Sequence, residues 1–295
     1  MNIDIAKNAV NDFNYFADQK MEERITSGQQ LSDTLADIQD FIKSIEPSWL
    51  ADREALVQEI EVSENEEFFE LCAYAMNHNS GAMPSFIEEG LGRRGTEAED
   101  FLLSYLELPI LQLDVNSSSL TKEQLYETDM MNSAIYLAGV VGSQRLYQKL
   151  YELFRQCLTA NEMFLEKLVT ALSHREALPY IKALLADTEL PAAKLADAMQ
   201  MVCNIQEKSD ELFRLMKQSF KRLAKDPRTE IVGAMLMYDY GDSRIVPAMR
   251  KLAQDKIAAA GIVTKDNTPI YILLSMIHKL GGNTKELTGG KDLFC

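Results

Sequence analysis

The sequence is poor in turn-forming residues and in long apolar runs. Only 14 Gly and 8 Pro occur in 295 residues, which is too few for a sheet of many strands joined by tight turns. Strong helix formers, chiefly Leu, Ala, Glu, Lys, Gln and Met, are abundant instead. No stretch approaches the roughly 18 uncharged apolar residues of a membrane-spanning helix. We therefore expect an all-α protein without a membrane partner.

Metal-ligand and disulfide patterns are also missing. The four cysteines are far apart without a Cys-x-x-Cys pair, and no His lies three or four residues from another His. Three cysteines fall inside helical patterns, where buried reduced thiols are typical. The residues concerned are Cys72, Cys157, Cys203, Cys295, His78, His174 and His278. The pattern predicts no metal site and no cofactor. The chain also begins without the basic-then-apolar order of a signal peptide, which favours a cytoplasmic location.

Motifs of nucleotide and hydrolytic chemistry are absent as well. There is no G-x-x-x-x-G-K-S/T phosphate loop and no G-x-S-x-G nucleophile turn. Residues 90–95 read Gly-Leu-Gly-Arg-Arg-Gly, but no predicted strand precedes them, so we expect a solvated turn between helices. Arg93 and Arg94 form the only adjacent basic pair in the first half of the chain. They either bind a carboxylate or phosphate or pair with Glu88 and Glu89. We predict no catalytic residue.

Charge is distributed unevenly along the chain, whose formal net charge is −15. Residues 1–130 contain 27 acidic and 8 basic side chains and carry −19. Residues 131–295 contain 18 acidic and 22 basic side chains and carry +4. An acidic helical surface usually maintains solubility. The excess of negative charge argues against a nucleic-acid partner, because nucleic acids bind through basic surfaces.

Apolar residues recur with a period of about 3.6 residues over almost the whole chain. We predict fifteen helices between residues 2 and 280. Three of them begin with S/T-x-x-E/Q, the capping-box pattern that satisfies free backbone N–H groups. The residues are Ser63 with Glu66, Thr96 with Glu99, and Thr121 with Gln124. The one long non-helical stretch, residues 108–117, mixes Pro, β-branched residues and Ser and predicts an extended connector.

A short pattern recurs in the second half of the chain. Residues 181–187, 220–226 and 249–255 share the order apolar, basic, any, Leu, any, any, Asp. The Asp positions lie 39 and 29 residues apart, and an average of 34 is typical of stacked helix pairs. The equivalent leucines, predicted to lie in the core, are Leu184, Leu223 and Leu252. The equivalent basic residues, predicted to be exposed, are Lys182, Lys221 and Arg250.

The last copy extends into a longer motif. Residues 234–255 combine a helix, the turn Gly-Asp-x-Arg from Gly241 to Arg244, and Pro247 at the start of the next helix. Gly permits a positive φ between the two helices, and Pro suits the first turn of the second. This motif resembles the hallmark of HEAT repeats. Weaker copies of it contain Gly81 with Pro84, and Pro179 without the Gly-Asp turn.

The resemblance implies a HEAT-like solenoid, an irregular α-α superhelix of five or six helix pairs over residues 63–280. A single pair cannot bury its apolar stripe, so neighbouring pairs must stack. Residues 1–62 then form an N-terminal helical cap or bundle, and a soft boundary falls at 108–120. Residues 281–295 contain four Gly and are predicted to form a flexible tail. A compact, non-repeating all-α fold is the alternative.

The predicted helix 207–225 carries basic residues opposite its apolar stripe. Arg214, Lys217, Lys221 and Lys225 are spaced by three, four and four residues, which places them along one helix face. We call these four residues the basic ridge. If the ridge faces a partner, it binds an acidic peptide or a phosphate backbone. Otherwise it is a solvated helix face.

The sequence favours a non-enzymatic role. HEAT arrays usually serve as binding platforms, so the resemblance implies a protein-protein interaction scaffold or adaptor, and an inhibitor or immunity-type binder is a narrower form of this role. The alternative is a nucleic-acid-binding HEAT-like enzyme such as an alkylated-base DNA glycosylase, which the net charge of −15 opposes. Lyases that attach linear tetrapyrroles are a further HEAT-like class, but no residue here supports that chemistry. The expected partner is another protein that presents an acidic segment.

Overall fold

The computed structural model describes residues 1–27, 35–50, 53–78, 83–107, 120–159, 161–260 and 268–290. Within these ranges the chain forms fifteen α-helices, three short 3-10 helices and no strand. The predicted all-α fold class is therefore confirmed. The contacts between helices divide the chain into two compact units, Met1–Ala177 (unit 1) and Leu178–Cys295 (unit 2). The predicted connector at 108–117 lies outside the described residues.

Unit 1 contains nine of the α-helices. They are α1 (Ile3–Thr26), α2 (Leu35–Leu50), α3 (Glu54–Glu61), α4 (Asn65–Asn77), α5 (Ser85–Arg93), α6 (Gly95–Tyr105), α7 (Lys122–Val141), α8 (Gln144–Gln156) and α9 (Glu162–Leu172), followed by a 3-10 helix at Arg175–Ala177. Helix α3 begins at Glu54, five residues later than the predicted start at residue 49, and α2 ends at Leu50, five residues later than the predicted end at residue 45.

Helix α7 is the centre of unit 1. It contacts α4, α5, α6, α8 and α9, and buried side chains project from it in several directions. Small residues on α7 let its neighbours approach closely. The Ser133 hydroxyl, which is buried, donates a hydrogen bond of 2.9 Å to the Met76 carbonyl at the end of α4. A helix surrounded in this way must be apolar on most of its surface, and α7 meets this condition from Met130 to Val141, whereas its first two turns are largely exposed.

The N-terminal helices belong to the same unit. Trp49 on α2 is 1% exposed, and its ring packs edge-on against Phe13 and stacks on Phe86 with centroid distances of 5.6 and 5.7 Å. Its indole N–H donates to the Ala9 carbonyl at 3.2 Å. The segment 1–62, predicted as a cap or bundle, is thus joined to α5 through one aromatic cluster. The division into compact units falls between Ala177 and Leu178, and the boundaries at residue 62 and near 108–120 stay predictions.

Unit 2 contains six α-helices and repeats one packing pattern. They are α10 (Leu178–Ala186), α11 (Ala192–Ile205), α12 (Asp210–Leu223), α13 (Glu230–Tyr240), α14 (Val246–Ala260) and α15 (Thr268–Lys279). Each even-numbered helix packs on the odd-numbered helix that follows it. In addition, α11, α13 and α15 form one row, and α10 and α12 lie side by side. This stacking is consistent with an all-α repeat or superhelix, while the assignment to HEAT repeats stays a prediction.

The motif residues of the last copy behave as their chemistry predicts. Gly241 ends α13 with φ +69°, a conformation that favours glycine. The Asp242 carboxylate accepts hydrogen bonds from the Arg244 backbone N–H at 3.0 Å and from its guanidinium at 2.7 Å. Pro247 is the second residue of α14, where no intrahelical partner is needed for the missing N–H. The predicted leucines Leu184, Leu223 and Leu252 are all buried.

Arginine side chains join neighbouring helix pairs of unit 2. Arg222 on α12 donates to the carbonyls of Asp187, Thr188 and Leu190 at 2.7–2.9 Å and so fixes the loop between α10 and α11. Arg244 also reaches Asp210 at the start of α12, 2.6 Å away. These partners lie 32–35 residues apart in sequence, a spacing close to the 34-residue average of the recurring pattern.

Two of the three predicted capping boxes are wrong. Thr121 and Gln124 do form a reciprocal box at the start of α7. At α4 the N-cap is Glu64, and the Ser63 hydroxyl instead donates to the Ile60 carbonyl at the end of α3. At α6 the helix already begins at Gly95, directly after α5, so Thr96 lies inside it. Short connections between helices therefore moved both helix starts by a residue or more.

The first part of the predicted flexible tail packs on α14. Residues Lys285–Thr288 form a 3-10 helix in which Leu287 is buried. Arg250 on α14 donates to the Asn283 carbonyl at 2.5 Å and pairs with Glu286 at 2.6 Å. The four Gly of this stretch predicted flexibility, and they gave no indication that Arg250 would bind Asn283 and Glu286. Residues 291–295 lie outside the described part of the chain.

The lengths and polarities of the described helices bear on whether any of them could span a membrane. Among them, no helix is both long enough and apolar enough to cross a lipid bilayer.

We predict that Gly139→Ala destabilises unit 1. A Cβ atom at Gly139 would lie 2.8 Å from Ala171 Cα and 2.9 Å from Ala171 Cβ, so α7 and α9 would have to separate. The expected loss in free energy of unfolding is about 1–3 kcal/mol, typical of overpacking. Urea unfolding followed by fluorescence measures it, because Trp49 is the only Trp and lies in unit 1.

Gly92→Ala is the matched control. Gly92 lies in α5, and a Cβ atom there would meet nothing within 4 Å. The same glycine-to-alanine change should therefore leave stability unchanged or raise it by up to about 1 kcal/mol. Equal losses in the two variants would contradict the close α7–α9 contact.

A second prediction concerns the recurring pattern in unit 2. Leu223 is fully buried, so Leu223→Ala should lower the free energy of unfolding by about 2–4 kcal/mol. Lys221, two residues earlier, is exposed, and Lys221→Ala should change it by less than about 0.5 kcal/mol. Lys182 and Arg250 are unsuitable controls because both are half-buried and ion-paired. Far-UV circular dichroism during urea unfolding measures both changes, and the reverse ordering would mean that the register of the pattern is wrong.

Candidate functional site

Helix α12 presents the basic ridge because its apolar stripe is fixed on the opposite side. The Ser209 hydroxyl caps the helix by accepting a hydrogen bond from the Leu212 N–H at 3.2 Å. The apolar side chains of α12 are buried against α10, α11 and α13. They are Leu212, Phe213, Leu215, Met216, Phe220 and Leu223. The remaining face of α12 must therefore point to solvent.

The four ridge residues occupy that solvent face and the turn after it. Arg214 and Lys221 are exposed, and Lys217 is half-buried with its ammonium group 5.7 Å from the Phe213 ring. Lys225 is exposed just beyond the last residue of α12. The structure thus brings three of the four predicted residues onto one helix and places the fourth at its C-terminal end, where cations are favoured by the helix dipole.

The acidic residues nearest in sequence are bound elsewhere. Glu211 pairs with Lys182 at 2.5 Å, and this hydrogen bond lowers the pKa of Glu211, with smaller contributions from the charges of Lys182 and of Arg214 in the ridge. Asp210 pairs with Arg244 at 2.6 Å. Asp226 pairs with Arg228 at 2.9 Å, a contact that lowers the pKa of Asp226. No ridge residue has an ion-pair partner among the residues that the structure describes.

The Arg93–Arg94 pair is arranged differently. Arg93 pairs with Glu61 and Glu89, each at 3.0 Å. The Arg94 guanidinium lies 3.7 Å from the centre of the Phe68 ring and donates three hydrogen bonds. Their acceptors are the Gly90 carbonyl, the Ser63 carbonyl and the Asn65 side chain. Both side chains link α5 to α3 and α4, which favours the structural interpretation of this pair over the anion site.

Helix α5 also carries a half-buried carboxyl group whose role the sequence did not reveal. Glu88 accepts a hydrogen bond of 2.5 Å from the Tyr136 hydroxyl on α7. Burial raises the pKa of Glu88 to about 7, and the Tyr136 hydrogen bond only partly offsets this. The Glu46 and Glu89 carboxylates raise the pKa further, and Lys43 lowers it. The sequence had suggested Glu88 only as a partner for an arginine.

The histidines show no catalytic grouping. His78 is the C-cap of α4: its Nδ1 lies 2.8 Å from the Tyr74 carbonyl, and its ring stacks on Tyr74. Burial lowers the pKa of His174, whose ring lies 6.1 Å from that of Tyr147. Over the described ranges, His, Cys, Asp and Glu side chains form no group of three that could hold a metal ion.

Comparison with known proteins gives no family for these features. No protein-family model, no curated protein and no solved structure matches the chain.

We predict that Glu88 makes the stability of unit 1 depend on pH. The pKa of Glu88 is raised from 4.5 to about 7 on folding, so the native state keeps a proton that the unfolded chain loses. The stabilising contribution of protonated Glu88 is complete below about pH 4.5 and is lost as the pH rises through about 7. Glu88→Gln should flatten this fall and raise the urea midpoint at about pH 8, measured by Trp49 fluorescence.

Glu59→Gln supplies the comparison for this measurement. Glu59 is an exposed residue of α3 in the same unit, and its substitution should leave the pH profile of the wild type intact. A Glu88→Gln variant that retained the wild-type pH profile would show that Glu88 is not the titrating group.

Proposed function

We propose that this chain is a protein-binding scaffold built from HEAT-like helical repeats, and that its basic ridge binds an acidic segment of another protein. The observation that carries the proposal is the contrast between the ridge and the other arginines of unit 2. Arg222, Arg228, Arg244 and Arg250 are each bonded to carbonyls or carboxylates of the chain. Arg214 and its three lysine neighbours are exposed or half-buried without such a partner in the described residues.

The packing of unit 2 supports a scaffold role for α12. Its core stripe is locked between neighbours, and Arg222 and Arg244 fix the two ends of the helix to adjacent loops. The ridge is therefore presented on a preorganised element, which reduces the ordering entropy lost on binding. Charges held at intervals of three and four residues match an extended or helical segment that carries several carboxylates.

Charge also distinguishes a peptide from a nucleic acid. A protein that binds nucleic acid neutralises many phosphates with a continuous basic surface. The ridge offers four basic residues, whereas residues 1–130 alone carry −19 and repel a polyanion at long range. A short acidic peptide requires only the local potential of α12. We place the scaffold in the cytoplasm, since Cys72, Cys157 and Cys203 form no disulfide, as is usual in a reducing compartment.

The ridge predicts how a charge-reversal variant will behave. Lys217→Glu combined with Lys221→Glu should weaken binding of a fluorescent peptide of about ten residues, rich in Asp and Glu, by at least tenfold, because two attractions become repulsions. Wild-type affinity should fall as salt rises, since exposed charges are screened over about 8–10 Å. Fluorescence anisotropy measures both effects. The melting curve should stay nearly unchanged, because both side chains lie outside the core.

The control variant changes the net charge by the same amount as the ridge variant, but at lysines outside the ridge. Lys122→Glu combined with Lys251→Glu reverses two exposed lysines, one in each unit, and should bind the acidic peptide as the wild type does. Equal losses in the two double variants would show that only net charge matters and would contradict a site on the ridge. Tighter, ridge-dependent binding of a DNA duplex of matched charge would favour the glycosylase-like alternative.

A further inference from the structure

A groove lies between α13 and α15, in the row of unit 2 helices that does not contain the ridge. Its volume is about 270 Å³ and its walls are mainly apolar. The lining residues include Met235, Tyr238, Asp239, Tyr271, Ile272 and Lys279. The volume lies at the lower edge of the range of about 300–1,000 Å³ typical of binding pockets, which leaves room for a few large side chains from one face of a helix.

The surface beside the groove is unusually apolar for this unit. Val232 and Met235 are 43% and 48% exposed, and both lie on α13. They are the only large apolar side chains of described unit 2 that are exposed to this degree. With Asp239 they follow one face at spacings of three and four residues, and Ile272, Ser275 and Lys279 follow α15 at the same spacings.

The two helices run in the same direction at the groove. The Lys279 ammonium lies 5.9 Å from the centre of the Tyr238 ring, so the C-terminal ends of α13 and α15 are neighbours. From Val232 to Asp239 the strip extends about 10 Å along the helix axis at 1.5 Å per residue. That length matches two turns of a partner helix, and the valley between two aligned helices accepts such a helix by ridge-into-groove packing.

The charges at one end of the groove indicate what the partner carries. Asp239 and Lys279 both line this end and are both exposed. Neither has an ion-pair partner in the parts of the chain that are described, although Lys279 lies over the Tyr238 ring. Asp239 thus presents a negative charge beside the apolar walls, and Lys279 presents a positive charge at the same end of the groove. The complement of Asp239 is a basic side chain next to large apolar ones.

We propose that this groove binds an amphipathic helix of another protein. The helix places large apolar residues at i, i+3 or i+4, and i+7 against Met235, Tyr271 and Ile272, and a Lys or Arg after them faces Asp239. This is recognition of a helix in a groove, in which apolar anchors supply affinity and the flanking charge sets the register. The site is separate from the basic ridge and has the opposite preference, since the ridge is proposed to bind an acidic segment.

The test uses the full chain and a labelled helical probe of about sixteen residues, with Leu at the anchor positions followed by Arg. Binding is measured by fluorescence anisotropy. Met235→Glu should weaken binding at least tenfold by placing a charge against the apolar anchors. Leu125→Glu is the matched control, because Leu125 on α7 is 49% exposed, compared with 48% for Met235, and this variant should bind as the wild type does.

A charge exchange tests the Asp239 contact. Asp239→Lys should weaken binding of the Arg probe by at least fivefold, and replacing the probe Arg with Glu should restore binding to that variant while weakening binding to the wild type. The Lys217→Glu, Lys221→Glu variant should bind the Arg probe normally, so failure of the ridge proposal and failure of this one are distinguishable. Thermal melts confirm that each variant is folded, and Met235→Gln replaces Met235→Glu if the latter unfolds.

Three results would overturn the inference. Met235→Glu and Leu125→Glu could bind the probe equally, which would exclude the groove. The exchanged probe could fail to rescue Asp239→Lys, which would exclude the proposed charge contact. Sedimentation could show a wild-type dimer that Met235→Glu converts to a monomer, which would assign the groove to a second copy of this chain.

Discussion

One neighbouring helix does not cover the whole apolar stripe of an amphipathic helix, so each helix packs against two or more neighbours. This requirement organises both units of the protein. In unit 1, α7 is surrounded by five helices, and Gly139 allows one of them to approach until a single added carbon would collide with Ala171. In unit 2, α12 contacts α10, α11 and α13, and α13 contacts α11, α12 and α15. The parts of α12 and α13 that these neighbours leave exposed carry residues of the basic ridge and of the groove.

Arginine has two different uses on these helices. Arg222, Arg244 and Arg250 point back to carbonyls or carboxylates of neighbouring helix pairs, so their planar guanidinium groups join segments 32–36 residues apart in sequence. Such groups are preorganised donors, and they restrain loops that have little apolar area to bury. Arg214 has the same chemistry but faces solvent. Whether an arginine links two segments of the chain or is a candidate for partner binding thus depends on the direction of its side chain and not on residue type.

Periodicity made the helices and the repeated leucines predictable, because each helix must bury a stripe whose spacing is visible in sequence. The Gly241 turn and the Thr121 box were predictable for the same reason, since both satisfy local backbone requirements. The caps at Ser63 and Thr96 were not, because neighbouring helices decide where a helix starts. The Glu88–Tyr136 hydrogen bond joins residues 48 apart in sequence. The groove required knowing that α13 and α15 are neighbours, which no local pattern records.

The two outer surfaces of unit 2 follow from one packing event. Helices α12 and α13 pack against each other, and Gly233 brings α13 so close to Leu223 that a Cβ atom would lie 3.0 Å from the Leu223 Cβ atom. Each helix therefore turns its other side outward: α12 presents Arg214 and the lysines, and α13 presents Met235 and Asp239. Because α12 and α13 pack this closely, the basic and apolar surfaces lie on adjacent helices of one compact unit. In the proposed scaffold, two chemically different segments would therefore bind to neighbouring helices.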